Sequence, residues 1–281
     1  MTDAADTPDD ETPAETEVVE VSSTEEPVAE PVMADEPLAE TPTPPADEPA
    51  SKEEVMELVK TVVYALLIAL VLRVFLFQPF TIPSSSMRPN LLIGDYVIVS
   101  KFSYGYSRNS IPFSPPLFKG RLLEGTPKRG DVIVFKTPAE GHKDLIKRLI
   151  GLPGDTIQVT NGVLYVNGKA LPRIADGLAE GDSAACPNLA TPMRFWETNP
   201  IGRRYITYDC GRGDLDDTPV FLVPEGNYFF MGDNRNDSED SRFADVGFVP
   251  KQNLVGPATR IWFNWRLPGW PSWRRIGAKI I

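Results

Sequence analysis

The sequence predicts a mainly β protein, an antiparallel β-sheet domain preceded by a single transmembrane helix. A predominantly apolar stretch of 20 residues runs from Leu58 to Phe77. After Phe80, short β-rich runs alternate with turns that contain Gly, Pro, Asp and Asn, and long helical periodicity is missing. These patterns favour one helix followed by a domain built from hairpins.

Residues 1–51 are predicted to be a disordered, acidic, Pro-rich tail. They contain 16 acidic residues and nine prolines, and they lack Lys, Arg and aromatic residues. Such a segment cannot bury enough apolar surface to offset the entropy lost on folding. The chain has a net charge of −11, but the part after the tail holds 23 acidic and 28 basic residues. A solvated tail is the prediction, and a partner-binding acidic arm is the alternative.

Residues 55–78 are predicted to form the transmembrane helix. Twenty residues at about 1.5 Å each span about 30 Å, which is the thickness of a bilayer core. Lys60 and Arg73 lie near the ends, where they can reach the headgroups, and Pro79 is expected to stop the helix. A cleaved signal peptide and a buried core helix are the alternatives. The first is disfavoured because an acidic tail precedes the stretch and an Ala-x-Ala site does not follow it.

Residues 79–281 are predicted to form the β domain. The runs predicted as strands are Tyr96–Ser100, Asp131–Lys136, Leu145–Ile150, Thr156–Thr160, Val163–Val166 and Asn227–Met231. The Asn-Gly pairs at 161–162 and 167–168 predict tight hairpin turns. Residues 101–130 and 171–220 are rich in Pro and Gly and are predicted as loops or as a hairpin extension of the core.

The composition limits the chemistry that is open to the chain. Two cysteines and one histidine cannot build a Cys₄ or Cys₂His₂ zinc site. His142 is the sole imidazole, and its neighbours indicate a surface loop. Cys186 and Cys210 are expected to form a disulfide if the domain lies outside the cytoplasm and to be two buried thiols if it does not. The segment Ile261–Ile276 holds four of the five Trp, which fits a membrane interface or ordinary packing.

Three segments are candidates for chemistry. The first has three consecutive serines, Ser84 to Ser86, in an apolar and Pro-rich setting, although a serine run is more often a polar turn. In the second, strand alternation places Lys147 on one face with apolar neighbours. Burial there would lower its pKa and make it a base, whereas a snorkelling Lys at a strand edge is the alternative. The third segment, 231–242, is dense in hydrogen-bonding side chains and fits a bracing network better than a Ca²⁺ loop.

Together these segments match a protein family. From about Lys60 to Ala258 the chain resembles bacterial type I signal peptidases, which are also called leader peptidases. The family's motifs are present in order: Pro-Ser-x-Ser-Met-x-Pro-x-Leu at 83–91, a Gly-Asp-Val-Val-Val-Phe-like strand at 130–135, Lys-Arg-x-x-Gly-x-Pro-Gly-Asp at 147–155, and Gly-Asp-Asn-Arg-x-x-Ser-x-Asp-Ser-Arg at 232–242.

The resemblance implies roles for particular residues. Ser86 is implied as the nucleophile and Lys147 as its general base. The Ser84 hydroxyl and the Ser86 backbone N–H are implied as the oxyanion hole. The supporting residues that it implies are Ser238, which orients the catalytic Lys, and the buttressing pair Asp240 and Arg242. The residues that it implies as lining the pockets for small side chains are Phe80, Ile82, Pro83, Leu91, Leu145 and Ile146. A Ser hydroxyl needs a base, and since the one histidine lies outside every motif, a neutral Lys is the simplest choice.

The implied function is that of a membrane-bound serine endopeptidase. It would remove N-terminal signal peptides from exported preproteins after small residues, in an Ala-x-Ala pattern. The expected partners are the preproteins and the lipid bilayer, without nucleic acid, cofactor or metal, and the expected state is monomeric. The resemblance also implies a single-pass protein of the cytoplasmic (inner) membrane with its catalytic domain on the extracytoplasmic, periplasmic side.

Two other functions compete with this one. Self-cleaving SOS-type repressors resemble the same β core, and specialised secretion or conjugation peptidases use related anchors. A repressor would need a DNA-binding module where this chain has an acidic tail, which repels phosphate. The other competitor is a membrane-tethered β module that binds exported proteins without cleaving them. It predicts the loss of Ser86 or Lys147, and both are present.

Overall fold

The computed structural model describes residues 51–110, 120–139, 143–182, 185–186, 191–265 and 272–281. The predicted tail lies outside the described residues as far as Ala50, and His142 also lies outside them.

The predicted apolar helix is present as α1 (Lys52–Phe75). Ser51, expected to be the last residue of the tail, is its N-cap: Ser51 Oγ accepts from Glu54 N, and Glu54 Oε2 accepts from Ser51 N at 2.9 Å. This capping box explains why the helix begins three residues before the predicted start at 55. Its 24 residues span about 36 Å, enough to cross a bilayer. The side chains of Lys52–Arg73 are exposed, which argues against the buried core helix.

The domain is built from short strands. They are β1 (Phe77–Thr81), β2 (Asp95–Ser100), β3 (Tyr106–Ser107), β4 (Arg121–Leu122), β5 (Val132–Lys136), β6 (Asp144–Gly151), β7 (Thr156–Thr160), β8 (Val163–Val166), β9 (Lys169–Ala170), β10 (Arg173–Leu178), β11 (Met193–Thr198), β12 (Arg204–Asp209), β13 (Phe221–Leu222), β14 (Asn227–Met231), β15 (Val249–Pro250) and β16 (Leu254–Asn264). Short 3₁₀ turns lie at Lys101–Ser103, Arg108–Ser110, Lys251–Asn253 and Trp273–Arg275.

The strands form a seven-stranded sheet in the order β1-β2-β16-β5-β6-β14-β15, a four-stranded sheet in the order β13-β7-β8-β9, a three-stranded sheet β10-β11-β12 and the pair β3-β4. Neighbouring strands pair antiparallel. This confirms the predicted fold class. The Asn-Gly pairs at 161–162 and 167–168 have positive φ and close the β7-β8 and β8-β9 hairpins, as their sequence predicts.

The end of the helix differs from the prediction. The helix ends at Phe75, so residues 77–78 belong to β1, and Pro79 lies inside that strand, paired with Ile98. Proline is tolerated there because β1 is an edge strand, where a missing N–H costs no bond to a further neighbour. Pro79 therefore does not act as the helix stop.

The last turn of α1 is attached to the β domain by hydrogen bonds. Tyr106 Oη donates to Phe75 O at 2.6 Å, and the buried Lys101 Nζ donates to Arg73 O at 3.2 Å. Carbonyl groups in the last turn of a helix lack intrahelical partners, so these side chains satisfy them. The helix and the sheet are thus joined without a linker.

The two predicted loop segments hold strands as well as loops. Residues 101–130 contain the β3-β4 pair, and residues 111–119 within them lie outside the described residues. Residues 171–220 form the β10-β11-β12 sheet, which agrees with the alternative of an extension from the core. We call this three-stranded sheet the accessory sheet.

Candidate active site

Ser86 lies in the connection between β1 and β2, which is tied down at both ends. Ile82 N donates to Asp95 O at 2.8 Å, and Gly94 N donates to Ile82 O at 2.9 Å. The next side chain, Met87, is fully buried in the core. Ser86 itself is buried, so the local packing fixes its position.

Lys147 lies in β6 and reaches Ser86. It pairs with Ile133 of β5 and is 2% exposed, so of the two interpretations of this Lys the buried one is confirmed and snorkelling at a strand edge is not. Its Nζ donates to Ser86 Oγ at 2.7 Å. The structure therefore brings together the two residues that the sequence predicts as base and nucleophile.

The surroundings of Lys147 favour its neutral form. Burial lowers the pKa of Lys147 from 10.5 to about 8. The carboxylates of Asp240, Glu239 and Asp233 oppose this change in pKa because they favour the ammonium. With a pKa near 8, about a tenth of the side chain is neutral at pH 7, against about one part in three thousand for a free Lys.

Ser84 completes a chain of three polar groups. Its side chain is exposed, and its Oγ lies 3.2 Å from Ser86 Oγ. A hydroxyl between an amine and a second hydroxyl can lose its proton to the amine while the second hydroxyl donates to a developing negative charge.

Behind these groups lies the segment Gly232–Arg242, which we call the bracing loop. Asp240 and Arg242 form a buried ion pair in it, with Arg242 Nε and Nη2 at 2.9 and 2.8 Å from the carboxylate. Burial alone would raise the pKa of Asp240, but Arg242 holds it below its usual range. Asp240 Oδ2 also accepts from Gly232 N at 3.0 Å. The predicted buttressing pair is thus present, and it holds the start of the loop.

Gly232 lies in close contact with Ser86. A Cβ at this position would lie 2.5 Å from Ser86 O and would also collide with the Ser238 side chain. Ser238 is therefore beside the site and contributes to the lowered pKa of Asp240, but among the described residues no hydrogen bond joins its buried Oγ to Lys147. That Ser238 orients Lys147 stays a prediction.

Two further residues of the site were given no role by the sequence analysis. The fully buried Arg148 donates to both oxygens of Asp233, at 2.6 and 2.7 Å, and to Gly130 O at 2.8 Å. Asn90 Nδ2 adds a bond of 2.7 Å to Asp233. Because Arg148 follows Lys147 and Asp233 follows Gly232, this ion pair links the β6 motif to the bracing loop. Arg148 and Asp233 lie inside the motifs at 147–155 and 232–242, and this position is the sequence signal that could have pointed to a role for them.

A disulfide lies against the same loop. Cys186 and Cys210 are bonded to each other, with their Cα atoms 5.7 Å apart. Asn234 N donates to Ser86 O at 3.1 Å, while Asn234 Nδ2 donates to Ala185 O at 2.6 Å. Asn234 therefore links the two segments: its backbone N–H bonds Ser86 O, and its side chain bonds Ala185, next to the disulfide.

The six predicted pocket residues do not form one group. Four of them, Phe80, Ile82, Leu91 and Ile146, pack in a single cluster, in which Ile82 and Leu91 are fully buried. The half-buried Leu145 packs in a different cluster because neighbouring residues of a strand face opposite sides. Pro83 is exposed.

The acidic side chains around the site are engaged with protein groups. Asp233 pairs with Arg148, Asp240 pairs with Arg242, and Asp237 accepts from Ser85 Oγ. Among the described residues, no group of three or more His, Cys, Asp or Glu is arranged to hold a metal ion.

The sequence matches one family over most of its length. The sequence model of the family described as "Signal peptidase, peptidase S26" matches residues 55–263. The signal peptidase I of Rickettsia typhi is 42% identical over 218 residues, which cover 74% of this chain and 80% of that protein. The signal peptidase I of Rickettsia massiliae is 41% identical over 219 residues, with coverage of 75% and 80%. A crystal structure of a signal peptidase I from Enterococcus faecalis V583 shares 31% identity and a TM-score of 0.30, over 48% of this chain and 97% of that one.

Proposed function

This chain belongs to the signal peptidase family, peptidase S26, and we propose that it cleaves with Ser86 as nucleophile and Lys147 as general base. As a member of the family it is a serine endopeptidase that removes signal peptides, so its substrates are preproteins. The observation that carries the assignment of the two residues is the 2.7 Å bond between Lys147 Nζ and Ser86 Oγ inside a buried site.

The reaction begins when a neutral Lys147 takes the proton of the Ser86 hydroxyl. The oxygen attacks the scissile carbonyl carbon, and the protonated Lys147 then gives its proton to the leaving amine. An acyl-enzyme remains. Lys147 then takes a proton from the water that attacks the ester carbonyl, and it gives this proton to Ser86 Oγ as the bond to the acyl group breaks. A pKa of Lys147 near 8 supports this role, because the proton can be accepted and returned near neutral pH.

The negative charge on the carbonyl oxygen needs donors that are already in place. The proposed donors are the Ser84 hydroxyl and the Ser86 backbone N–H. The 3.2 Å separation between Ser84 Oγ and Ser86 Oγ supports the first of these, since both hydroxyls can meet the same carbonyl group. Losing one such donor typically costs about 3 kcal/mol of transition-state stabilisation.

We assign the preference for small residues, in an Ala-x-Ala pattern, to the apolar side chains near Ser86. The partly buried Phe80, which packs against the cluster that contains Ile82 and Ile146, supports this, because an apolar side chain on a closely packed cluster leaves room only for small substrate side chains. Leu145 and Pro83 lie outside this cluster, and the family resemblance is the sole support for placing them in the pocket.

We place the β domain on the extracytoplasmic side of the inner membrane, anchored in the lipid bilayer by α1. The length and apolar character of α1 support the anchor. The Cys186–Cys210 disulfide supports the side of the membrane, because disulfides persist in oxidising compartments and are rare in the cytosol.

Cleavage of a preprotein by the full chain in detergent tests the two assigned residues. Ser86→Ala and Lys147→Ala should each abolish most cleavage, and the double variant should be hardly worse than either, since effects within one catalytic unit are not additive. Lys147→Arg should stay inactive because a guanidinium cannot accept the proton. The control is His142→Ala, which removes the one imidazole and should keep wild-type turnover. An inactive His142→Ala together with an active Lys147→Ala would require a histidine mechanism instead.

A further inference from the structure

Glu197 is a buried carboxylate that lies outside every sequence motif. It belongs to β11 of the accessory sheet and is 1% exposed. Its carboxylate accepts from Arg235 Nη1 and Nη2 at 2.8 and 2.6 Å and from Tyr205 Oη at 2.7 Å. Burial alone would raise the pKa of Glu197, but the charge and hydrogen bonds of Arg235 lower it, so the pair is ionic.

Arg235 carries this interaction into the bracing loop. Its Nε donates to Gly232 O at 3.2 Å, while Gly232 N donates to Asp240 Oδ2 at 3.0 Å. The two peptide groups that flank Gly232 are therefore each held by a buried ion pair. The Asp240–Arg242 pair secures one of them, and the Glu197–Arg235 pair secures the other.

The position of Gly232 determines the position of the nucleophile's main chain. Gly232 packs so closely on Ser86 O that no Cβ would fit between them. Asn234, two residues further along the loop, donates its N–H to the same oxygen at 3.1 Å. A shift of this loop would displace Ser86 relative to Lys147, and a misplacement of about 1 Å can cost about a hundredfold in rate.

We propose that Glu197 is a positioning residue for signal-peptide cleavage: through Arg235 it fixes the Gly232 carbonyl and with it the main chain of Ser86. This inference rests on the proposed role of Ser86 as nucleophile. It also assigns a task to the accessory sheet, which supplies the carboxylate from outside the catalytic core.

Two variants separate positioning from a merely structural contribution. Glu197→Gln leaves the Arg235 charge buried without its partner, so both the stability and kcat should fall, kcat by about tenfold or more. The double variant Glu197→Met/Arg235→Met removes both charges at similar volume, so it should be more stable than Glu197→Gln, although Tyr205 Oη and Gly232 O lose their partners. Its kcat should stay low because Gly232 O then lacks its donor. KM should stay within about threefold of wild type in both, since neither residue is part of the substrate pocket.

The matched control is Asp176→Asn, which removes the charge from a partly exposed ion pair with Arg194 on the same sheet. It should leave kcat, KM and the unfolding midpoint near wild type, because ion pairs that solvent reaches contribute little.

A double variant that regains wild-type kcat together with its stability would overturn the inference, as would a Glu197→Gln variant with wild-type kcat. Should Glu197→Gln fail to fold, the double variant alone decides. Ser86→Ala is measured in parallel. If it still cleaves, the proposed function and this inference fail together. If it is inactive while Glu197→Gln is fully active, the inference alone fails.

Discussion

Replacing Lys147 by Met should make the folded protein more stable at neutral pH while abolishing cleavage. Met is unbranched and of similar length, so it can fill the space of the Lys stem. It removes the ammonium group that burial disfavours, and Ser86 Oγ keeps Ser84 Oγ at 3.2 Å as a neighbour. The site would gain stability because the proposed function requires an amine base in a position that disfavours its charged form.

The size of this gain follows from the pKa of Lys147, which burial lowers from 10.5 to about 8. Between these values the unfolded chain binds a proton that the folded chain does not, so the stability of the wild type rises with pH from about 8 to 10.5. Below this range the Lys147 ammonium is present in both states, and its burial lowers the free energy of unfolding of the wild type. This cost amounts to about 3 kcal/mol, at about 1.4 kcal/mol per unit of pKa difference.

Denaturant unfolding of the full chain in detergent, followed by Trp fluorescence, measures this difference. Lys147→Met should be more stable than wild type by about 3 kcal/mol at pH 7, and the two should converge near pH 10.5. The control is Lys169→Met, an exposed Lys on β9, whose difference from wild type should be the same at both pH values. A Lys147→Met variant that is less stable than wild type at pH 7, or a difference that does not change with pH, would refute the reasoning.

Other consequences can be checked separately. Gly232→Ala should lower kcat by about tenfold or more, because its Cβ would collide with Ser86 O, and full activity would contradict the close packing. Cys186 and Cys210 should both resist maleimide in protein isolated from membranes without reductant, since they are bonded to each other, and labelling of both would contradict this. Deleting residues 2–50 should leave kcat/KM in detergent within about twofold, as expected for a disordered tail, and a tenfold loss would contradict that interpretation.

Most of the fold could be predicted because its signals are local. The apolar stretch gave α1, and the Asn-Gly pairs gave two hairpins. β16 was not predicted, although it is the longest described strand and lies in the large sheet between β2 and β5. Pro257 argues against an interior strand, and the structure accommodates it where the pairing register shifts on either side. Such a shift depends on the partner strands, so the strand's own sequence does not show it.

Some residues of the candidate site could be predicted from motifs, and others could not because only the folded chain brings them to the site. Ser86 and Lys147 belong to motifs. Strand alternation alone left open whether Lys147 is buried or snorkels at a strand edge, and in the structure Arg148 on the opposite face is buried as well. Glu197 could not be found from the sequence because its partner Arg235 is 38 residues away. Leu145 and Ile146 are neighbours in β6 and face opposite sides of the sheet, so they pack in different clusters. The motif match had assigned both of them to the pocket.

The attachment of α1 to the β domain fixes the distance between the end of the helix and Ser86. Ser86 stands eleven residues after Phe75, so even a fully extended chain could reach no more than about 40 Å from the helix end. All five residues of β1 pair with β2, and Tyr106 holds the carbonyl of Phe75, so this segment is a rigid strut. If α1 is anchored in a bilayer, we therefore expect Ser86 to be held at a fixed distance from the bilayer surface. For a substrate held in the same bilayer, we expect the position of a bond along the chain to affect whether that bond is cut.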